Sequence, residues 1–304
     1  MKIFVTGATG FIGSALVREL IGAKYQVLGL VRSDAGAKAL AAAGAQVHRG
    51  DLKDLESLRS GAAMSDAVIH TAFVHDFSKF AENCEIDRWA IETLGSVLEG
   101  SDRPLIVTTG TAGLAAPGQV ATEENNIPPN FPFPRVSEQM ALALVPKGVK
   151  ASVMRLPQVH DTTKQGLVTY LIAVARERGM SAYVGEGRNC WSAAHVLDVA
   201  RLYRLALEKH EAGAKYHAVA EEGVAMRDIA EAIGRGLKVR VVSLSPGKAQ
   251  AHFGWLSMFA SNDLRASSAQ TRRKLGWNPT GPGLIADLER QSYFDEASPS
   301  ASLQ

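Results

Sequence analysis

The residues with the clearest chemical meaning stand first in the chain: Thr6-Gly7-Ala8-Thr9-Gly10-Phe11-Ile12-Gly13. Their glycines are evenly spaced between a short apolar run and a helical stretch, the pattern of a phosphate cradle. The first glycine permits a tight turn, the second lets backbone approach a pyrophosphate, and the third lets helix and strand pack closely. The N–H groups that open the following helix then face the phosphates. A nicotinamide dinucleotide is the expected ligand, with Gly7, Thr9, Gly10, Phe11 and Ile12 against it. Arg32-Ser33 stands at the tip of the next apolar run, where an acidic residue would favour NAD(H). A guanidinium there pairs with a 2′-phosphate and the serine can add a hydrogen bond, so NADP(H) is favoured over NAD(H) despite the neighbouring Asp34.

Hydride chemistry also needs a group that binds or protonates a substrate oxygen. Thr109 and Thr111 lie at the end of a later strand, where sheets of this kind bind ligands. His75, beside Asp76, follows the strand before it, and a histidine titrating near neutrality could donate a proton. Tyr170 sits on the helical run Leu167 to Ala175, where packing is the simpler role. Phe131, Phe133, Trp191, Phe253 and Trp255 could line an apolar substrate pocket or simply pack in a core. His70 and His75 share no helix face and no carboxylate motif accompanies them, so no metal site is expected.

These residues need a frame, and the first half of the chain supplies its rhythm. Apolar runs without polar alternation (Ile3–Thr6, Gln26–Val31, Gln46–Arg49, Ala67–Thr71, Leu105–Thr109, Ala151–Leu156) read as strands buried on both faces. Helical stretches separate them at Phe11–Ile21, Ala35–Ala43, Leu52–Ser60, Glu82–Leu98 and Val136–Val145. The expected fold is α/β, a doubly wound parallel sheet (Rossmann fold), with a smaller C-terminal substrate-binding portion. The first portion spans 1–156 and the second 157–295, with about 191–220 returning to the sheet; 296–304 reads as a disordered tail. Pro117, Pro128, Pro129, Pro132 and Pro134 mark Ala115 to Pro134 as a long loop, and such loops are usually functional.

Composition sets bounds. A net charge of +2 gives no reason to expect nucleic acid or an anionic membrane as partner. The two cysteines, Cys84 and Cys190, match no metal or redox spacing and suggest free thiols in a cytoplasmic protein. No apolar run reaches membrane-spanning length, and Met1-Lys2-Ile3-Phe4-Val5 passes into glycines without the core of a signal peptide. A small-molecule substrate and a possible homodimer are the expected partners.

With these residues in view, the chain resembles the extended short-chain dehydrogenase/reductase superfamily, which includes the NAD-dependent epimerase/dehydratase family. The turn TGATGFIG, Arg155-Leu156-Pro157-Gln158-Val159-His160, Trp191 to Ala200 and Leu275-Gly276-Trp277-Asn278-Pro279 carry the resemblance across nearly the whole chain. The resemblance implies further cofactor contacts at Asp51 and Leu52, at Thr71, Ala72 and Phe73, and at Thr108 and Pro157. It also implies a Tyr-x-x-x-Lys pair, and here the chain departs from it. Pro134 stands at the tyrosine position and Glu138 at the lysine position. Gly110 replaces the usual strand-end hydroxyl, and Asp87 replaces the asparagine often found on the fourth helix. Arg135 and Glu138, about one helical turn apart, are expected to pair with each other.

Three functions compete. The first is an NAD(P)H-dependent oxidoreductase of carbonyl or enone reductase type, acting on a small, largely apolar substrate through a non-standard proton donor. The second is a non-catalytic NADP(H)-binding sensor. The third, a nucleotide-sugar epimerase or dehydratase, needs the missing tyrosine base.

Overall fold

Apolar runs that bury both faces demand helices on both sides of their sheet, and a computed structural model of the chain has this arrangement. It describes residues 1–116, 118–128, 134–164, 166–290 and 294, with the Phe77 side chain left aside. Pro117, Pro129, Phe131, Pro132, Phe133 and the 296–304 tail therefore lie outside the described residues. The strands are β1 (Lys2–Thr6), β2 (Gln26–Val31), β3 (Gln46–Arg49), β4 (Ala67–His70), β5 (Pro104–Gly110) and β6 (Lys150–Leu156), then β7 (Gln158–His160), β8 (Met180–Val184), β9 (Cys190–His195), β10 (Lys215–His217), β11 (Glu221–Ala225) and β12 (Arg240–Leu244). The helices are α1 (Phe11–Gly22), α2 (Asp34–Ala42), α3 (Leu55–Ala63), α4 (Phe80–Leu98), α5 (Ser137–Ala143) and α6 (Gly166–Arg178), then α7 (Val196–Lys209), α8 (Met226–Leu237), α9 (Pro246–Phe253), α10 (Ser257–Ala260), α11 (Ala269–Leu275) and α12 (Leu284–Leu288).

Seven strands form one parallel sheet in the order β10-β6-β5-β4-β1-β2-β3. The chain reverses its direction of travel at β1, which pairs with β2 on one side and β4 on the other. Ligands of doubly wound sheets bind at such a reversal, beyond the C-terminal strand ends. Alternate residues of β1 divide between two cores: Ile3 and Val5 pack with α1 and α7, and Phe4 with α3 and α4. The edge strand β3 departs from the expected double burial, and Val47 on it is exposed.

Local capping explains where the helices begin. The Asp54 side chain accepts the Ser57 N–H at 3.2 Å, so α3 starts at Leu55, three residues later than its apolar pattern suggests. Leu52 stays in the turn and is buried there. Past Pro157, β7, β9 and β11 make a three-stranded sheet, and β8 pairs with β12. A separate core of α6, α8, α9 and α10 packs around Trp191, Phe253 and Phe259. The segment Val196 to His217 goes back to the large sheet: α7 packs on α1, and β10 adds to β6. Cys84 and Cys190 are free thiols, and among the described residues no helix is long and apolar enough to cross a membrane.

Trp277 locks the C-terminal segment onto α7. Its ring is 2% exposed and its Nε1–H donates to the Asp198 carbonyl at 3.0 Å. The Asp198 carboxylate accepts the N–H groups of Thr280 and Gly281 at 3.1 and 2.7 Å. Trp277→Ala is expected to cost about 3–5 kcal/mol of unfolding free energy. Urea titration checks this, and a loss below about 1 kcal/mol would show that the segment docks without the ring.

Candidate active site

The glycine turn has the geometry of a cradle. Gly7 has φ +68°, and a Cβ there would lie 2.8 Å from the Ala72 nitrogen. A Cβ on Gly13 would come within 2.0 Å of the Gly7 carbonyl oxygen, so α1 can approach β1 only through glycine. Helix α1 has no side-chain cap at Gly10 and no acidic residue in its first turn. Its opening N–H groups and partial positive charge suit a pyrophosphate. The Thr71 hydroxyl donates to the Thr6 carbonyl at 2.7 Å and the Ala72 N–H donates to the Thr6 hydroxyl at 3.3 Å, joining the cradle to the end of β4.

At the far end of the cradle, two residues have duties that their sequence positions hide. The Ser33 hydroxyl accepts the Gly36 N–H at 3.1 Å and caps α2, which leaves its O–H as a donor. The Asp34 carboxylate pairs with Arg49. Arg32 remains 75% exposed, with Asp51 3.6 Å away. The negative charge that blurred the cofactor preference is thus balanced by a second arginine.

The other end of the site is built around one buried carboxylate, Asp87 on α4. His70 at the end of β4 bridges the Thr6 hydroxyl (Nδ1, 2.8 Å) and Asp87 (Nε2, 3.1 Å). The Ser137 hydroxyl donates to the second Asp87 oxygen at 2.5 Å. Burial alone would raise the Asp87 carboxyl, but the His70 hydrogen bond, the Arg135 charge and the Ser137 hydroxyl hold it below its ordinary value. Arg135 lies 3.8 Å from Asp87, donates from Nε to Ser137 at 2.9 Å and from Nη2 to the Thr108 carbonyl at 3.1 Å. Its guanidinium stacks 4.1 Å over the Phe73 ring.

The expected Arg135–Glu138 pair does not form. Helix α5 begins at Ser137, so residue 135 precedes the helix and one-turn spacing does not apply. Glu138 instead holds the fully buried Arg155 through two hydrogen bonds, of 2.8 and 2.5 Å. Arg155 also donates to the Asn125 carbonyl at 2.8 Å and to His217 Nε2 at 3.0 Å. His217 Nδ1–H in turn donates to the Ser267 carbonyl at 2.8 Å. Accepting from Arg155 requires a neutral ring, and burial together with the Arg155 charge pushes its pKa down to about 4.

The remaining candidates separate. Thr109 is buried to 7% exposure, and among the described residues its hydroxyl has no partner. The Thr111 hydroxyl faces the Leu156 carbonyl at 3.4 Å and Ser192 at 3.5 Å. The Thr108 hydroxyl meets Tyr203 at 2.6 Å. Tyr203 is the tyrosine bonded to β5, but it is fully buried and burial raises its pKa, so it is no substitute acid. His75 keeps more than a third of its surface accessible. Crowding by surrounding protein, then the Arg135 and Lys164 charges, nevertheless lowers its pKa to about 4. Trp191 and Phe253 are core residues, with Trp191 Nε1–H donating to the Phe259 carbonyl at 3.1 Å. Tyr170 stacks edge-on against Trp255 with ring centroids 5.2 Å apart.

Two groups central to this arrangement, Arg135 and Ser137, were not singled out by sequence as site residues. The signal was present: both flank the position where the resemblance places a catalytic pair.

The model of the NAD dependent epimerase/dehydratase family matches residues 3–220. An uncharacterized protein of Schizosaccharomyces pombe is 49% identical over 97% of this chain and 100% of its own length. The 4-hydroxy-2-methyl-3-oxo-4-farnesyl-3,4-dihydroquinoline-1-oxide ketoreductase of Stigmatella aurantiaca is 27% identical over 84% of this chain and 80% of its own. The crystal structure of DesIV, a dTDP-glucose 4,6-dehydratase from Streptomyces venezuelae with NAD and TYD bound, superposes with a TM-score of 0.76 at 20% identity. That likeness covers 97% of this chain and 96% of the other.

The neutral ring of His217 makes stability depend on pH. Its folded pKa of about 4 lies below the ordinary 6.5, so the unfolded chain binds more protons between these values. Stability is therefore fully present above pH 6.5 and falls as pH drops toward 4. Urea unfolding at several pH values between these limits is expected to show that slope, and His217→Gln to reduce it. An unchanged slope in the variant would remove His217 as its source.

Proposed function

Because this chain belongs to the NAD dependent epimerase/dehydratase family, we propose that it is an NAD(P)H-dependent oxidoreductase reducing a small, largely apolar carbonyl or enone compound. The observation that carries this reading is the intact cradle, sterically restricted to glycine at Gly7 and Gly13 and tied through Thr6 to the strand ends. Gly7, Thr9, Gly10, Phe11 and Ile12 would hold the pyrophosphate, and Asp51 and Leu52 would lie beside the adenosine half. Thr71, Ala72, Phe73, Thr108 and Pro157 would surround the nicotinamide half. The bound cofactor would supply hydride to the substrate. Thr109 offers to a substrate oxygen a hydroxyl that has no partner among the described residues, whereas Thr111 is already engaged by Leu156 and Ser192. Similarity to a ketoreductase over most of the chain supports the direction of the chemistry.

The preference for NADP(H) rests on Arg32, whose guanidinium is mostly exposed at the end of β2, with Arg49 beside it taking up the Asp34 charge. The rival reading, a dinucleotide sensor without catalysis, draws on Pro134 and on the engagement of Glu138 by Arg155.

Protein fluorescence titration is expected to give saturable NADPH binding, and a panel of aldehydes, ketones and enones to include compounds that oxidise NADPH. Binding without turnover across the panel selects the sensor; no binding at all defeats both readings. Thr109→Val is expected to lower kcat/KM about tenfold, the value of one hydrogen bond made to a developing charge. In a separate titration, Arg32→Ala should weaken NADPH about tenfold or more while leaving NADH within about twofold. Equal losses for both cofactors would show that Arg32 does not read the 2′-phosphate.

A further inference from the structure

Resting on the oxidoreductase reading, we propose that Arg135 stands in for the missing phenol: its guanidinium binds the substrate's carbonyl oxygen and stabilises the negative charge that develops on it. Two of its nitrogens are anchored, Nε to Ser137 and Nη2 to the Thr108 carbonyl. Nη1 has no partner among the described residues, and it is not sealed from the surface. A cation with an open donor therefore lies at the end of β5, against the Thr108 carbonyl and over the ring of Phe73.

The alternatives are weaker electrophiles. Thr109 presents a neutral hydroxyl, Thr111 is engaged, and the His75 ring is neutral at physiological pH. A guanidinium is fully charged, and preorganised donors aimed at developing charge are a large source of rate acceleration.

Arg135 is held in register with the cofactor cradle. Asp87 partly offsets its charge, Ser137 bonds both Asp87 and Arg135, and His70 connects Asp87 to Thr6 at the mouth of the glycine turn. Asp87 and Ser137 are positioning residues in this scheme. Their role is to present one N–H face to one oxygen.

The chemistry differs from that of a tyrosine acid. The carbonyl carbon gains a hydride from the reduced dinucleotide, and the π pair moves onto oxygen. The resulting alkoxide is held by Arg135, takes a proton from water and leaves hydroxide to solvent. Arginine itself gives up no proton, because its guanidinium remains charged throughout.

Isobutyrate, a small branched carboxylate, serves as the oxyanion probe. It is titrated by calorimetry into the wild type, Arg135→Ala, Arg135→Gln and Arg135→Lys, with and without saturating NADP. Wild type is expected to bind isobutyrate saturably, and the Ala and Gln variants to bind it about 10- to 100-fold more weakly, with part of the loss recovered by Lys. NADP affinity of the Gln variant, which keeps a polar head beside Asp87, should stay close to wild type, and a cooperative thermal melt should show that the variant is folded. Equal isobutyrate affinity in wild type and the Gln variant, or no saturable binding by wild type, overturns the assignment. Failure of wild type to bind NADP sinks the oxidoreductase reading by itself; the cofactor-free titration still decides whether Arg135 takes an oxyanion.

Discussion

A carboxylate removed from water must be answered by hydrogen bonds and an opposite charge, and much of this site follows from meeting that demand at Asp87. Both oxygens are occupied, one by His70 and the other by Ser137, with Arg135 close by. Each partner comes from a different element: the end of β4, the start of α5 and the loop before it. Satisfying one buried charge therefore gathers three chain segments at the C-terminal edge of the sheet. The same edge carries the glycine cradle, because Thr6 belongs both to β1 and to the hydrogen-bond chain that ends on Asp87.

A second buried charge organises the neighbouring strand. Arg155 on β6 is enclosed by Glu138, His217 and the carbonyl of Asn125. It joins the helix after β5, the edge strand β10 and the long loop before α5. The two networks are adjacent on α5, where Ser137 serves one and Glu138 the other. Consecutive residues of one short helix thus serve different partners.

Much of the frame was legible in the sequence because its signals are local. Unbroken apolar runs mark the parallel strands, and the glycine spacing marks the turn after β1; both depend on residues within a few positions of each other. The helix starts at Asp34 and Leu55 depended on whether a serine or aspartate side chain captures a nearby N–H, which apolar periodicity does not register. The catalytic end was harder to read because its partners are distant along the chain. Ser137 meets Asp87 across 50 positions, and Arg155 meets His217 across 62. Sequence identified Pro134 and Glu138 as departures from the family pattern, but the spacing of Arg135 and Glu138 suggested a pair that forms only if both are helical. The apolar set around Trp191 and Phe253 was ambiguous between pocket and core for a different reason, since composition alone cannot say which side of a sheet a side chain fills.

The grip of Glu138 on Arg155 also constrains how such a chain can change. A lysine at position 138 would set an ammonium group against a guanidinium with no accessible surface, and would remove the carboxylate that balances it. A tyrosine at position 134 alone would have no neighbouring lysine to lower its pKa. Neither substitution is useful without the other, and the lysine would leave Arg155 without its carboxylate partner. A tyrosine–lysine pair thus needs two replacements, one of which breaks a buried ion pair. The electrostatics of one strand residue act as a ratchet on the chemistry available to its neighbours.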